Sequence, residues 1–323
     1  MEGAQLPVEC VGHQADVVQL AFSQICDSGY YLASASKDGH AILRHGDTGD
    51  WVGKIGKVRK RKTGKAMLCV DINGDATLMA TGSEDFTARI WNATSGKQLA
   101  KFESPCSVRC VALAAKSAYL AVGCLYRYSH CLDTDLYLYE LDRPDICMKL
   151  EGQSRGVRDV IFCCDDRALL SSSHDRSIRL WDLRNGRQVH SINLPHHAKS
   201  LELNADGRTV TIAYAQSVIF LDVERFQVLQ HRQHSMCVSG ASLHPAKETY
   251  VCAAGKRIHR FEYASGQCLE SFVAHEHSVR SIKYSPDGEV FASGSKEGGL
   301  RLWQQTVGKK YGLWDTQDNS EQS

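Results

Sequence analysis

Residues 173–186 read Ser173-His174-Asp175-Arg176-Ser177-Ile178-Arg179-Leu180-Trp181-Asp182-Leu183-Arg184-Asn185-Gly186. They hold an acid, a short segment ending in Trp, and a turn closed by Gly. The same order recurs through the chain. Trp91 follows SEDFTARI and precedes NATSG, Trp303 follows SKEGGLRL, and Phe261 follows GKRIHR and precedes EYASG. Arg44, Tyr139 and Leu221 occupy the matching place in three further blocks. Spacings between the seven anchors are 47, 48, 42, 40, 40 and 42 residues. Self-similarity at such a period marks a repeat architecture and outranks any local reading.

Each block reads as four short strands. In the last these are Val279–Tyr284, a segment from Glu289 to Gly294, and Leu300–Trp303, with the fourth strand still to be supplied. Ser285-Pro286-Asp287-Gly288 has turn chemistry, since Pro presets φ and Gly closes the turn without a Cβ clash. Asn204-Ala205-Asp206-Gly207 and Ile72-Asn73-Gly74-Asp75 stand at the matching points. Short strands at this period cannot bury both faces alone, whereas stacked radially they can. The predicted fold is therefore all-β, a seven-bladed propeller over 1–314, followed by a disordered tail at 315–323. Either the segment from Leu6 to Cys10 or that from Thr306 to Trp314 can complete the last blade and remove the open edges.

The blocks resemble WD repeats. The Trp-Asp pair is complete only at Trp181-Asp182, and Trp91 and Trp303 keep the Trp alone. The family's turn acid stands as Asp38, Asp85, Asp175 and, in the last block, Glu297. Its entry Gly-His stands as Gly12-His13, weakened to Gly152-Gln153 and Ala274-His275. The resemblance implies a blade-stiffening hydrogen-bond network through His13, Asp38, Asp85, Trp91, Asp175, Trp181, His275, Glu297 and Trp303. No block holds the whole set, because the first lacks Trp and the fourth lacks His. Apolar packing between blades is then expected to carry more of the closure.

Composition narrows the function. Of 323 residues 43% are hydrophobic and 23% charged, and no run approaches the 18 or so apolar residues that span a bilayer. The N-terminal MEGAQLPVEC has no basic and apolar leader pattern, so no secretory signal is predicted. The thirteen cysteines accordingly read as reduced, mostly buried thiols. The net charge of +1 conceals a basic segment, residues 54–65, with Lys54, Lys57, Arg59, Lys60, Arg61, Lys62 and Lys65 and no acid. Without those seven, 31 basic residues face 37 acidic ones, so the body is mildly acidic.

Several stretches go beyond generic WD repeats. Gly46-Asp47-Thr48-Gly49-Asp50-Trp51, Glu84-Asp85-Phe86-Thr87-Ala88, Leu243-His244-Pro245 and Thr306-Val307-Gly308-Lys309-Lys310-Tyr311-Gly312-Leu313-Trp314 resemble the family of serine-threonine kinase receptor-associated proteins, also called unr-interacting proteins. The resemblance covers nearly the whole chain. It implies a non-catalytic, largely cytoplasmic scaffold of the survival-of-motor-neuron complex, which loads Sm proteins onto spliceosomal RNA and contacts Gemin subunits. It also implies links to receptor kinase signalling and to an RNA-binding translation regulator. The WD-repeat subunit of translation initiation factor three is the next nearest resemblance.

An enzyme reading fails on inventory. Gly64-Lys65 lacks the upstream Gly and following Ser or Thr of a phosphate loop. No Cys-x2-Cys pair offers a zinc site, and Cys106, Cys110, Cys163 and Cys164 read as packing residues. His196, His197, His231 and His234 are scattered and read as satisfied or solvated. No cofactor or metal is expected.

Surface remains. Gly49 to Asp85 spans 36 residues where Gly266 to Glu297 spans 31, and Gly123 to Tyr139 spans 16 where Gly82 to Trp91 spans 9. The first excess falls in the basic segment, between blades one and two; the second falls in Cys124–Asp135, inside blade three. Both loop types open on one face of a WD propeller, where function concentrates. The basic segment reads as a solvated loop, as a site for an acidic partner or RNA phosphates, or as a nuclear-import signal. Tyr126, Arg127 and Tyr128 read as loop packing or base stacking. Lys37, Glu84, His174 and Lys296, each one residue before a turn acid, are expected to be exposed on the same rim.

Overall fold

The structure, a computed structural model, describes residues 7–56, 66–125 and 134–305, apart from the Leu125 side chain. Among the described residues, twenty-eight strands form seven four-stranded antiparallel sheets. Six blades are built from consecutive strands, beginning with Val17–Phe22, Tyr31–Ser36, Ala41–His45 and Trp51–Ile55. The seventh combines Val279–Tyr284, Val290–Ser295 and Leu300–Gln304 with Val8–Glu9 from the other end of the chain. Val8 pairs with Leu302 and Glu9 with Arg301, and the Cys10 N–H donates to the Leu300 carbonyl at 2.8 Å. The N-terminal segment thus closes the ring. Thr306 to Trp314 and the tail lie outside the described residues.

The seven anchors share one register on the third strand of their blades. Arg44 pairs with Leu32, Trp91 with Met79, Tyr139 with Leu120, Trp181 with Leu169, Leu221 with Val210, Phe261 with Tyr250, and Trp303 with Phe291. All are buried except Tyr139, which is half-buried. Arg44 is the chemical exception. Its guanidinium donates to the carbonyls of Gly49 and Val11 and lies 5.0 Å from the Trp51 ring centroid, so both terminal nitrogens are satisfied, while its buried Nε has no partner, at the place where blades two, four and seven use indole.

The Ser285–Gly288 turn forms as expected, with the Gly288 N–H on the Ser285 carbonyl at 3.0 Å and φ of +78° at Gly288. In blade two the turn sits one residue later than the sequence suggests. Ala76, at φ +56°, donates to Asn73 and takes the left-handed position, because Asn73 ties its side chain to the Leu78 N–H. Among the described residues, eleven cysteines are free thiols. Cys106 is disulfide-bonded, which corrects its reading as a packing thiol.

Blades meet where the innermost strand of one crosses the second strand of its neighbour. Opposite each inner-strand bulge or its equivalent, the second strand carries a small residue: Ala35, Gly82, Gly123, Ser172, Ala213, Ala253 or Gly294. A Cβ on Gly123 would lie 2.4 Å from Cys110 Sγ and 2.8 Å from Val157 of the next blade. Apolar packing is supplemented by polar staples. Inner-strand side chains accept backbone N–H groups of the neighbouring blade: Gln19 from Val70, Asp71 from Leu113, Asp159 from Leu201, Ser242 from Tyr284, and Ser281 from Leu20. Closure therefore rests on more than the apolar contacts expected from the incomplete repeat network.

Candidate binding face and channel mouth

The network residues form partial relays. In blade one His13 contacts Asp38 through Nδ1 and Ser34 through Nε2, each at 2.9 Å. Burial raises the Asp38 carboxyl, but the hydrogen bonds from His13 and the Gln14 and His40 amides outweigh it and hold the pKa at about 2. In blade two Trp91 Nε1 donates to Thr81 at 2.8 Å, and Asp85 pairs with Arg89 at 2.7 Å. In blade four Asp175 accepts the Ser154 and Ser177 amides. There Gln153 replaces the missing His: its Nε2 and the Trp181 indole both donate to Ser171 Oγ, at 2.7 and 2.8 Å. In blade seven His275 and Trp303 share Ser293, while Glu297 Oε1 stands 3.4 Å from His275 Nδ1.

Lys37, Glu84, His174 and Lys296 are structurally equivalent. Each donates its backbone N–H into the loop that enters its own blade, to the carbonyls of Asp16, Ala66, Gly156 and Ser278. Lys37 and Lys296 are exposed, whereas Glu84 and His174 are half-buried. Lys37 is tied to Asp16 at 2.7 Å. His174 packs its ring 5.1 Å from His197. Of the basic segment, only Lys54 is described, exposed on the outer strand of blade one. Lys57, Arg59, Lys60, Arg61, Lys62 and Lys65 lie outside the described residues, as do Tyr126, Arg127 and Tyr128. The flanking strands place 57–65 between blades one and two, and 126–133 between the second and third strands of blade three. In alternating antiparallel blades both connections leave from one end, here termed the loop face.

The inner-strand bulges bring together cations that the chain-order reading missed. Arg109, Arg158, Lys199 and Arg280 are the extra residues of blades three, four, five and seven, at the strand ends nearest the loop face. Among the described residues no carboxylate lies within 4 Å of Arg109, Arg155, Arg158 or Lys199. Burial and the adjacent Arg109 push the Arg158 pKa down to about 10. Burial, with Arg158, His197, Arg109 and Arg155 around it, pushes His174 down to about 4. Burial first, and then the surrounding groups of one sign, lower the pKa values of both His174 and His197. A repeat-aligned column would have exposed the pattern, because Val108-Arg109, Val157-Arg158, Ala198-Lys199 and Val279-Arg280 share one place in their blocks.

Deeper in, the channel encloses about 1030 Å³ and carries the opposite sign through Asp71, Asp159 and Glu202, with Lys283 3.3 Å from Glu202. Burial raises all three carboxyl pKa values, that of Asp71 to about 6. Asp71 and Asp159 accept the backbone N–H groups of Leu113 and Leu201 in the neighbouring blades.

The WD domain, G-beta repeat family matches residues 5–43, 57–92, 145–182 and 266–304. The chain is similar to the Serine-threonine kinase receptor-associated protein of Mus musculus, 37% identical over 96% of this chain and 85% of that protein. The Dictyostelium discoideum protein of that name is 28% identical over 92% of this chain and 98% of its own length. Eukaryotic translation initiation factor 3 subunit I of Bombyx mori is more distant, 23% identical over 92% and 94%.

Proposed function

From the membership of this chain in the family of serine-threonine kinase receptor-associated proteins, within the WD-repeat propellers, we propose a non-enzymatic scaffold of ribonucleoprotein assembly. In this reading it is a monomeric propeller within the survival-of-motor-neuron complex. It contacts Gemin and Sm proteins, works in the cytoplasm with access to the nucleus, and has a further link to receptor kinase signalling. One observation carries the binding mode. Arg109, Arg158 and Lys199 crowd the loop face without acidic partners among the described residues. An acidic protein segment meets that chemistry by neutralising charge already paid for in burial.

Affinity purification of the full chain tests the assignment. Gemin and Sm proteins are expected to co-purify, and their recovery should fall in an Arg109→Ser, Arg158→Ser, Lys199→Ser variant. The similarity to the initiation-factor subunit supports a second reading. Recovery of initiation-factor subunits instead of Gemin and Sm proteins would replace the first reading with the second. Binding to RNA alone with a steep salt dependence would make the face a direct RNA site.

A further inference from the structure

The cations at the loop-face end of the channel are met unevenly around the ring. On the side of blades seven and one, Lys37 lies 2.7 Å and Arg280 3.7 Å from the Asp16 carboxylate. On the side of blades three to five the balance differs. Arg158, the bulged residue of blade four, makes no hydrogen bond or ion pair with a described residue, and its buried Nε has no partner. Asp159 attracts this guanidinium from beyond 4 Å and is itself occupied by the Leu201 N–H. Arg109 donates to the Leu68 carbonyl at 3.3 Å and Arg176 to the Pro195 carbonyl at 3.4 Å, while Lys199 Nζ stands 3.1 Å from the Cys237 thiol.

Two imidazoles stand among these groups. The His174 and His197 ring centroids are 5.1 Å apart, and neither ring is hydrogen-bonded to a described residue. The groups acting on His174 are Arg158, His197, Arg109 and Arg155; those acting on His197 are Arg158, Lys199, His196 and Arg176. Arg158 is common to both sets and acts on neither alone, since Arg109 lies beside it. Burial and then these neighbours lower both imidazole pKa values, that of His174 to about 4. Both rings are therefore neutral at pH 7 and each keeps a nitrogen able to take a proton.

We propose that Arg158, Arg109, His174 and His197 form a site for the phosphate group of a phosphorylated serine or threonine in a protein partner. This rests on the reading of the loop face as the scaffold's partner surface and names the group that the face takes. A phosphate monoester concentrates about two negative charges and three acceptor oxygens on one centre, which suits guanidinium donors converging from neighbouring blades. A carboxylate brings one charge and two oxygens. The phosphate also supplies the negative charge that lets an adjacent imidazole take up a proton and become a donor. Deeper in the channel Asp71, Asp159 and Glu202 reverse the sign, so the site ends at the mouth. One compact cationic sector suits a single side-chain phosphate better than a nucleic-acid backbone, whose charges repeat along a track.

The test uses the full chain in phosphate-free buffer, with N-acetyl-O-phosphoserine amide as the probe. Titration should show one saturable equivalent, and the C2–H proton signals of His174 and His197 should titrate at higher pH with the probe bound than without it. N-acetyl-aspartate amide should bind on the order of tenfold more weakly. Arg158→Gln should weaken the probe on the order of tenfold or more, while Arg225→Gln, exposed at the opposite end of blade five, should leave it unchanged. Absence of a saturable equivalent, equal affinity for the aspartate compound, or unmoved His174 and His197 signals overturns the proposal. An oligouridylate that displaces the probe at physiological salt assigns the site to a nucleic-acid backbone and overturns it as well. Phosphatase treatment of the Gemin and Sm proteins should lower their capture by the full chain. Capture that is lost in the Arg109→Ser, Arg158→Ser, Lys199→Ser variant yet indifferent to phosphatase overturns the phosphate site alone and leaves the scaffold reading standing.

Discussion

The Leu113 backbone N–H donates to Asp71 Oδ2 at 2.8 Å, joining the innermost strands of blades two and three across the channel wall. An inner strand has an open edge, and its donors must be satisfied where only channel water competes. The acceptor's charge sets a pH dependence, because Asp71 is enclosed enough that its pKa rises to about 6.

The sign follows from linkage. A carboxyl whose folded pKa lies above its unfolded value of 3.8 stabilises the fold fully below that value, and the contribution is lost as pH rises through about 6. Asp71→Asn keeps an oxygen for the Leu113 N–H and removes the charge. We expect it to be more stable than the parent at pH 7 by about 1 kcal/mol, a figure held down by channel water, and to flatten the stability slope between about pH 4 and 6. Asp71→Ala should instead be destabilised by roughly 1–3 kcal/mol through the orphaned N–H. Urea melts across that pH range decide it: an unchanged slope in Asp71→Asn contradicts the assignment.

Blades two and four offer a paired test of the internal relays. Ser171 Oγ serves two buried donors, Gln153 Nε2 and Trp181 Nε1, whereas among the described residues Thr81 Oγ1 serves Trp91 Nε1 alone. Ser171→Ala should therefore cost roughly 2–4 kcal/mol and the near-isosteric Thr81→Val roughly 1–3 kcal/mol. Equal losses in denaturant melts would mean that Gln153 does not take the His role in blade four.

The channel mouth separates binding from stability. Arg158 is crowded by Arg109 and pays for burial without an ion-pair partner among the described residues. Arg158→Gln should leave Tm unchanged or raised while weakening capture of the partner, and it should flatten the salt dependence of that capture. A variant that loses stability together with binding would show that the guanidinium holds the fold rather than a partner.

What could be read in the chain followed the repeat. Seven anchors at near-constant spacing give the blades, because a strand-period pattern and its turn residues are local properties. Even Arg44, chemically unlike an indole, holds the anchor register against Leu32. The side-chain pairings were less legible. That Gln153 reaches Ser171 depends on side-chain length measured across strands, which spacing along the chain does not encode. The Arg109, Arg158 and Lys199 cluster was hidden for a related reason. Its members are 49 and 41 residues apart and converge only because bulges repeat around a ring.

The small-residue ring gives the sharpest packing test. Gly123 faces Cys110 of its own blade and Val157 of the next, with ordinary backbone geometry and no turn to serve. Its role is therefore volume alone. Gly123→Ala would set a methyl 2.4 Å from Cys110 Sγ and 2.8 Å from Val157 Cγ1, which forces the two blades apart. Overpacking of this kind costs typically about 1–3 kcal/mol. Pairing it with Val157→Ala removes the interblade obstacle at the price of a small cavity, so the double variant should be less destabilised than the sum of the two singles. Strict additivity in thermal melts would mean that blade three does not bear on blade four at this point, and that the recurrence of small residues there has another cause.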